Sequence, residues 1–564
     1  MARLRRITRL PAHQRAQALL QQPDCSLLIR CMPPQDLLIT YKTADDPQHR
    51  TALIQQMPSG QMQRLWDLDL WKHHRIQPQQ LADWLQALCD AGVQSVINHL
   101  QGLDNELLYL LLKSNLDIYD QYQWENMDSN KTLFTHTPDR CFVLVSRNNN
   151  ETTFTCLRQF VELLYGENPA AAVNLLLNVI AITPSVLEEQ ALHWRDARLQ
   201  DLGFLPIAKW QHVLAYTNPQ MLAQQASVQQ PSHHDHTHQP HLVAARLQLR
   251  LDQTEPQDLL KQAIAELNEQ SSQHVARQLL VLTNRIHAAW HRDLGDEKSL
   301  TSTTNETLAC LQIALQYLQQ VHNKPASYWL LSTPVQEIFR LGRSLPLYLA
   351  KQLQKSLHSQ KINLDVLLHN LETPYRQTLQ GLLRKQPQFF QGLAQRNQQE
   401  YTPFANLQQL ALTAQIATEA AFRLSLLWGK KGVAVNNGLQ IKQTHHLPKC
   451  DVLLATWLVW ALLEKSPCCK PLEPHHLRSL KNRLVSQKDS LWAFTADTHE
   501  KVHRCLAQAV QDCIPLPGAA SLDQATKRAE QYAHTVLDAV AQEIGAVKEA
   551  DIDPRFVQTV WVSV

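Results

Sequence analysis

The sequence predicts an all-α protein of stacked helical hairpins forming a superhelical array, with one small β-hairpin near 133–146. Three observations predict it. Glycine supplies only 14 of 564 residues, against a typical share near ~7%, so few positions suit tight turns or flexible loops. Apolar residues recur at helical spacing, as at Leu81, Trp84, Leu85 and Leu88 and again at Leu311, Leu315, Leu318 and Val321. Thr-Pro pairs at Thr137-Pro138, Thr183-Pro184, Thr333-Pro334, Thr373-Pro374 and Thr402-Pro403 punctuate the chain. Each offers a hydroxyl to cap free N–H groups and a proline preset for the first helical turn.

In the first part of the chain an apolar helix end, a Pro or Asp breaker and a new amphipathic helix recur. This theme occurs at Cys31-Met-Pro-Pro-Gln-Asp-Leu-Leu38, Gln56-Met-Pro-Ser-Gly-Gln-Met-Gln-Arg-Leu65 and Gly102-Leu-Asp-Asn-Glu-Leu-Leu108. The spacing is irregular, which indicates hairpin stacking without a strict repeat. Leu133-Phe-Thr-His136 and Cys141-Phe-Val-Leu-Val145 are short β-prone runs on either side of Thr137-Pro-Asp-Arg140, a hairpin pattern. Periodicity fades after Gln220 and gives way to Pro231-Ser-His-His-Asp-His-Thr-His-Gln-Pro240, too polar to fold by itself. The expected organisation is an N-terminal helical domain 1–219, a His-rich linker 220–240 and a C-terminal helical domain 241–564. Thr333, with Gln336 three residues on, has the pattern of a capping box.

Composition narrows the function. No two glycines fall at the spacing of a dinucleotide-binding or P-loop phosphate cradle. A net charge of +2 argues against a polyanion-binding molecule, and Arg3, Arg5, Arg6, Arg9 and Arg15 read as a solvated helix face. The 11 cysteines lack any C-x-x-C pair. Cys89 and Cys156 lie in apolar helical patterns, where a free thiol acts as a small hydrophobe, and a reducing cytoplasm is the expected setting. The apolar run Val452 to Leu463 is too short to span a bilayer and reads as a buried helix; no transmembrane segment and no nucleic-acid partner are expected.

Several segments in order carry a resemblance. They are Met32-Pro-Pro-Gln-Asp-Leu37, Asp67-Leu-Asp-Leu-Trp71 with Trp84-Leu-Gln-Ala-Leu88, Arg195-Asp-Ala-Arg-Leu-Gln-Asp-Leu-Gly-Phe204, Thr333-Pro-Val-Gln-Glu-Ile-Phe-Arg-Leu-Gly342, Glu372-Thr-Pro-Tyr-Arg376 and Ile552-Asp-Pro-Arg-Phe556. The chain resembles a bacterial family of unknown function, domain-of-unknown-function family 6178, over nearly its whole length. That family carries no established activity to transfer. A fainter similarity links the Pro-started helical pairs of the first ~120 residues to the cytosolic superhelical domain of magnesium channels and to flagellar motor-switch proteins. This fold-level analogy implies a regulatory or scaffolding module.

Two kinds of constellation stand out. Asp67, Asp69, Trp71, Arg195, Asp196 and Arg198 mix charge with an aromatic ring, as a partner-binding surface would, or as buried Asp–Arg pairs that fix helix packing would. His233, His234, His236, His238 and His241, with Asp235, have the imidazole density of a zinc-binding tract, but no fixed geometry. A second zinc candidate joins His445, His446 and Cys450 to Cys468, Cys469, His475 and His476, although a helix over 451–465 sets these groups over ~20 Å apart. No cofactor is expected. Replacing His233, His234, His236 and His238 with Ser is expected to leave the melting temperature unchanged with or without zinc. Calorimetry checks this, and a zinc-dependent rise that vanishes in the variant refutes it. No catalytic residue is assigned, and the function expected is a cytoplasmic helical scaffold or adaptor that binds a protein partner. The alternative is an enzyme or metal-dependent regulator with a site between the two helical halves.

Overall fold

The structure, a computed structural model, describes residues 2–563 except 9, 73–74, 127–132, 202–213, 227–257, 291, 293–295, 360, 363–367, 396–397, 431, 437, 440–446, 464–466, 487–491, 514–518 and 548–552. The His-rich tract, including His233, His234, His236, His238 and His241, lies outside the described residues. The chain forms two compact units, Met1–Thr217 with Met221–Arg340, and Asn218–Gln220 with Leu341–Val564. Residues 259–340 thus belong with the N-terminal helices.

The first unit opens with α1 (Ala2–Thr8), α2 (Ala12–Leu20), α3 (Cys25–Cys31), α4 (Pro34–Lys42), α5 (Pro47–Gln56) and α6 (Ser59–Asp69). It continues through α7 (Pro78–Asp90), α8 (Val93–Gln101) and α9 (Asn105–Asn115). The three predicted breaker sites fall between α3 and α4, α5 and α6, and α8 and α9. Proline fills the first turn of α4, α5 and α7, where its missing N–H has no intrahelical partner to lose. Leu81, Trp84, Leu85 and Leu88 are all buried on α7. A two-residue hairpin of β1 (Trp71–Lys72) and β2 (Arg75–Ile76) separates α6 from α7.

The hairpin near 133–146 is present and gains a third strand. From α9 the chain enters β3 (Leu116–Asp120) and then α10 (Gln121–Glu125). β4 (Phe134–His136) and β5 (Phe142–Ser146) follow, in the antiparallel order β3-β5-β4. The turn closes by a hydrogen bond from Arg140 N–H to Thr137 O at 2.8 Å, with Arg140 at φ 57°. Next come α11 (Glu151–Glu167), α12 (Pro169–Ala181) and α13 (Pro184–Asp201). Asn150 and Asn168 side chains accept the N–H groups of Thr153 and Ala171 at the starts of α11 and α12. One contiguous core runs from Leu4 to Leu199 and includes the fully buried Trp66 and Phe160.

The same unit includes α14 (Leu259–Ala265), α15 (Glu269–Ala289), α16 (Glu297–His322) and α17 (Ala326–Ser332), the first three capped by Asp258, Asn268 and Asp296. On α16, Leu311, Leu315 and Leu318 are buried as expected, but Val321, in the last turn, is 51% exposed. Arg15, expected on a solvated face, is buried: its Nη2 donates to Glu297 Oε1 at 3.0 Å and its Nε to Leu10 O at 2.8 Å, joining α2 to α16.

The boundary at Arg340 falls within α18 (Val335–Ser359). The Thr333 capping box is absent. Thr333 ends α17, its N–H bonding to Trp329 O at 3.0 Å, and its buried hydroxyl has no partner. Only Thr333 and Pro334 separate the two helices, and the backbone of Thr333 is spent on closing the first of them. The second unit continues with α19 (Tyr375–Leu382), α20 (Leu407–Trp428), α21 (Cys450–Leu463), α22 (Pro474–Lys481), α23 (Ala496–Cys513) and α24 (Ala519–Gly545). Two short antiparallel pairs join them: β6 (Phe389–Phe390) with β7 (Tyr401–Thr402), and β8 (Leu484–Ser486) with β9 (Trp492–Phe494). A Cβ at Gly545 would stand 2.2 Å from Trp492 Cγ, so only glycine permits this approach of α24 to β9.

The apolar run of α21 is a buried core helix, with Leu453 to Leu462 all closed to solvent. Among the described residues, the stretch Leu407–Asn436 is long and apolar enough to cross a membrane by length and composition, and half of it is buried. Of the five Thr-Pro pairs, those at 183, 333 and 373 stand at helix starts. The pairs at 137 and 402 lie at a hairpin turn and at the end of β7.

Candidate functional site

In the first unit the predicted charged residues come together. Asp67 and Asp69 occupy the last turn of α6, where the helix dipole disfavours negative charge, so both need cationic or N–H partners. Arg198 on α13 grips Asp67 with a fork, Nε to Oδ2 at 2.6 Å and Nη2 to Oδ1 at 2.8 Å, and its Nη1 also bonds Asp104. Arg195, one turn earlier, donates Nε to Asp67 O at 2.9 Å, contacts Asp196 Oδ1 at 3.4 Å and lies 5.3 Å from the centre of the Trp71 ring. Asp69 accepts from Trp84 Nε1 at 2.7 Å and Gln80 Nε2 at 3.3 Å and pairs with Lys42.

Asp67 is 1% exposed and Asp69 8%. Burial pushes the Asp67 carboxyl up despite the guanidinium beside it, and burial also lowers Arg195. Both Asp67 oxygens are engaged by one fork, leaving no free lone pair aimed at solvent. This constellation can fasten α4, α6, α7 and α13 together.

The second unit holds a constellation that sequence reasoning missed. Arg423 on α20 is sandwiched between the rings of Tyr375 and Tyr532, 4.0 Å from each centre. Its Nη1 donates to Asp451 Oδ1 at 2.8 Å, its Nη2 to Tyr375 Oη at 2.8 Å and its Nε to Glu419 at 3.3 Å. Tyr532 Oη donates to the same Asp451 oxygen at 2.5 Å. Glu372 Oε1 accepts the Asp451 N–H at 2.7 Å in the first turn of α21, while its buried Oε2 has no hydrogen bond and lies 4.0 Å from Arg423.

One guanidinium therefore faces three carboxylates. Burial, reinforced by Asp451, pushes Glu372 up to about 7. Cys450, fully buried beside it, is pushed up by burial too. The arrangement can hold a proton on Glu372 near neutrality. A signal existed in the sequence: Arg423 is the one charge in the run from Ala420 to Trp428, apolar but for it and Ser425, and a charge in such a run demands buried partners.

For the second zinc candidate, His445 and His446 lie outside the described residues. Cys450 opens α21 and Cys469 is buried beyond its far end, while His475 and His476 stack on each other on α22 at 3.8 Å. Among the described residues, no group of three or more His, Cys, Asp or Glu side chains could hold a metal ion.

No curated protein and no solved structure matches the chain, so the fainter likeness to magnesium-channel and motor-switch domains gains no support. A family model matches residues 1–563. By that match over nearly its full length, the chain belongs to a family of unknown function, DUF6178.

Proposed function

We infer that the protein is a helical scaffold or adaptor whose α12 and α13 bind a protein partner. The observation that carries this reading is apolar exposure on these two helices: Leu177 is 49% exposed, Ile180 40%, Val186 43% and Trp194 49%. Apolar side chains gathered on consecutive helices mark contact surfaces, and tryptophan is the residue type most enriched where binding energy concentrates. Arg195 and Arg198 fix α13 to the core from its inner side, so Trp194 stands on a preorganised helix and little ordering is lost on contact. The described cysteines are free thiols, the state that a reducing cytoplasm maintains.

The double variant Leu177→Glu with Trp194→Glu tests the reading. A partner purified after affinity capture from the native host is expected to bind it at least tenfold more weakly, with unchanged circular dichroism. Equal binding by the wild type and the folded variant refutes it. An enzymatic reading has one observation in its favour, the buried Glu372, pushed up to about 7, beside Asp451 and Arg423. Its support would be a turnover that the folded Glu372→Gln variant loses.

A further inference from the structure

β3 (Leu116–Asp120) is an edge of its sheet, paired with β5 on one side. The bond from Arg147 N–H to Asn115 O at 2.9 Å fixes the phase of that pairing, because bonded and unbonded pairs alternate along an antiparallel ladder. In this register Asp117 and Tyr119 turn their backbone groups towards β5, and Leu116, Ile118 and Asp120 turn theirs away. Two of the outward N–H groups are taken, Leu116 donating to Leu112 O and Asp120 to Gln123 Oε1 at 3.3 Å. Among the described residues, the N–H and C=O of Ile118 and the C=O of Leu116 have no hydrogen-bond partner.

A cavity of about 130 Å³ lies beside these groups, lined by four consecutive β3 residues, Leu116 to Tyr119. Successive side chains of a strand point to opposite faces, so a space that touches all four runs along the strand's edge. Its far wall is the end of α12, Val179 and Ile180. Lys113 fixes that wall, its Nζ donating to Val179 O at 2.7 Å and to Ile180 O at 2.9 Å. Ile180 belongs both to this wall and to the exposed apolar set of α12 and α13. Lys113 and Arg147 set two cations on the cavity against one carboxylate, Asp117, which accepts Arg147 Nε at 3.0 Å and Nη2 at 2.8 Å. The Lys113 bonds go to neutral carbonyls, so an acidic group completes the charge balance.

We propose that the outward edge of β3 takes up an extended segment of the protein partner as an added strand, with an acidic residue meeting Lys113 and Arg147 and an apolar one entering the cavity against Ile180. This rests on the partner-binding reading of α12 and α13 and names the part of the partner that docks. Main-chain bonds to Ile118 and Leu116 hold such a segment whatever its side chains, while the cavity and the two cations select among sequences.

The test uses the full-length protein and a phage-displayed library of linear peptides, with Ile118→Pro as the counter-selection target. Proline there removes an N–H that faces away from β5, a place where an edge strand tolerates it, and circular dichroism confirms the fold. Peptides enriched on the wild type are expected to alternate apolar residues, to carry Asp or Glu, and to bind Ile118→Pro at least about tenfold more weakly. In synthetic copies methylated at one amide nitrogen at a time, binding is expected to fall at every second residue, the signature of a paired strand edge. That readout does not depend on the variant. Arg147→Gln is expected to weaken the acidic peptides about threefold, the scale of a rim ion pair. The proposal is overturned if no peptide prefers the wild type or if the methylation losses do not alternate. It is also overturned by a wild-type dimer that Ile118→Pro dissociates, which gives the edge to a second copy. The purified partner separates this proposal from the reading beneath it. Full binding to Leu177→Glu with Trp194→Glu overturns the α12 and α13 surface; weakened binding to that variant, with full binding to Ile118→Pro, overturns the strand pairing alone.

Discussion

Arg198→Met is expected to destabilise the first unit by about 3–5 kcal/mol, the range for removing one partner of a buried ion pair. The substitution removes both fork bonds to Asp67 and leaves a carboxylate that is 1% exposed. Arg195 cannot replace the fork, because its Nε is already bonded to the Asp67 carbonyl. Asp104 contributes little to the loss, since its side chain is 45% exposed and regains water. Adding Asp67→Leu to Arg198→Met is expected to recover most of the stability, because the orphaned charge disappears. Denaturant titration of the three variants measures this. A loss below about 1 kcal/mol in Arg198→Met would show that the pair does not fasten α6 to α13.

Glu372→Gln should stabilise the protein at pH 8 and have no effect near pH 4. In the fold Glu372 keeps its proton up to about 7, whereas in the unfolded chain it loses the proton near its ordinary 4.5. Between these values the folded state binds more protons, so this group's contribution is fully present below pH 4.5 and is lost as pH rises through about 7. At about 1.4 kcal/mol per pH unit the loss reaches an upper bound of ~3 kcal/mol. Gln keeps an oxygen for the Asp451 N–H and removes the charge that Asp451 opposes. Arg423, Tyr375, Tyr532 and Cys450, which also face the site, are common to both proteins, so the difference between them isolates Glu372. Melting temperatures from pH 4 to 8 check it, and a pH-independent difference refutes it.

How far the sequence could be read depended on the range of the forces involved. The buried face of α7 and the hairpin turn at Thr137–Arg140 are local, and spacing and turn chemistry reveal them. β3 was missed because Leu116 follows directly on the apolar pattern of α9, and only pairing with β5 separates strand from helix there. Thr333 failed as a cap for a related reason: the hydroxyl was assigned forwards while the preceding helix claimed the residue. In the candidate site, Asp67 and Arg198 could be singled out as residues but not matched, since nothing in spacing joins positions so far apart. The Arg423 constellation draws its members from 372 to 532 with no common motif, so the lone arginine in α20 was its one visible trace.

The fork between Asp67 and Arg198 also orders events in time. The two residues are 131 positions apart, and at about 5–20 residues per second a ribosome makes Arg198 roughly 7–26 s after Asp67. Until then the end of α6 carries a carboxylate with no guanidinium to meet it, and it must stay hydrated or protonated. The end of α6 is therefore expected to close over Asp67 only after Arg198 has been made. The interval before α13 is made is then a window in which a chaperone can hold that end of the helices open.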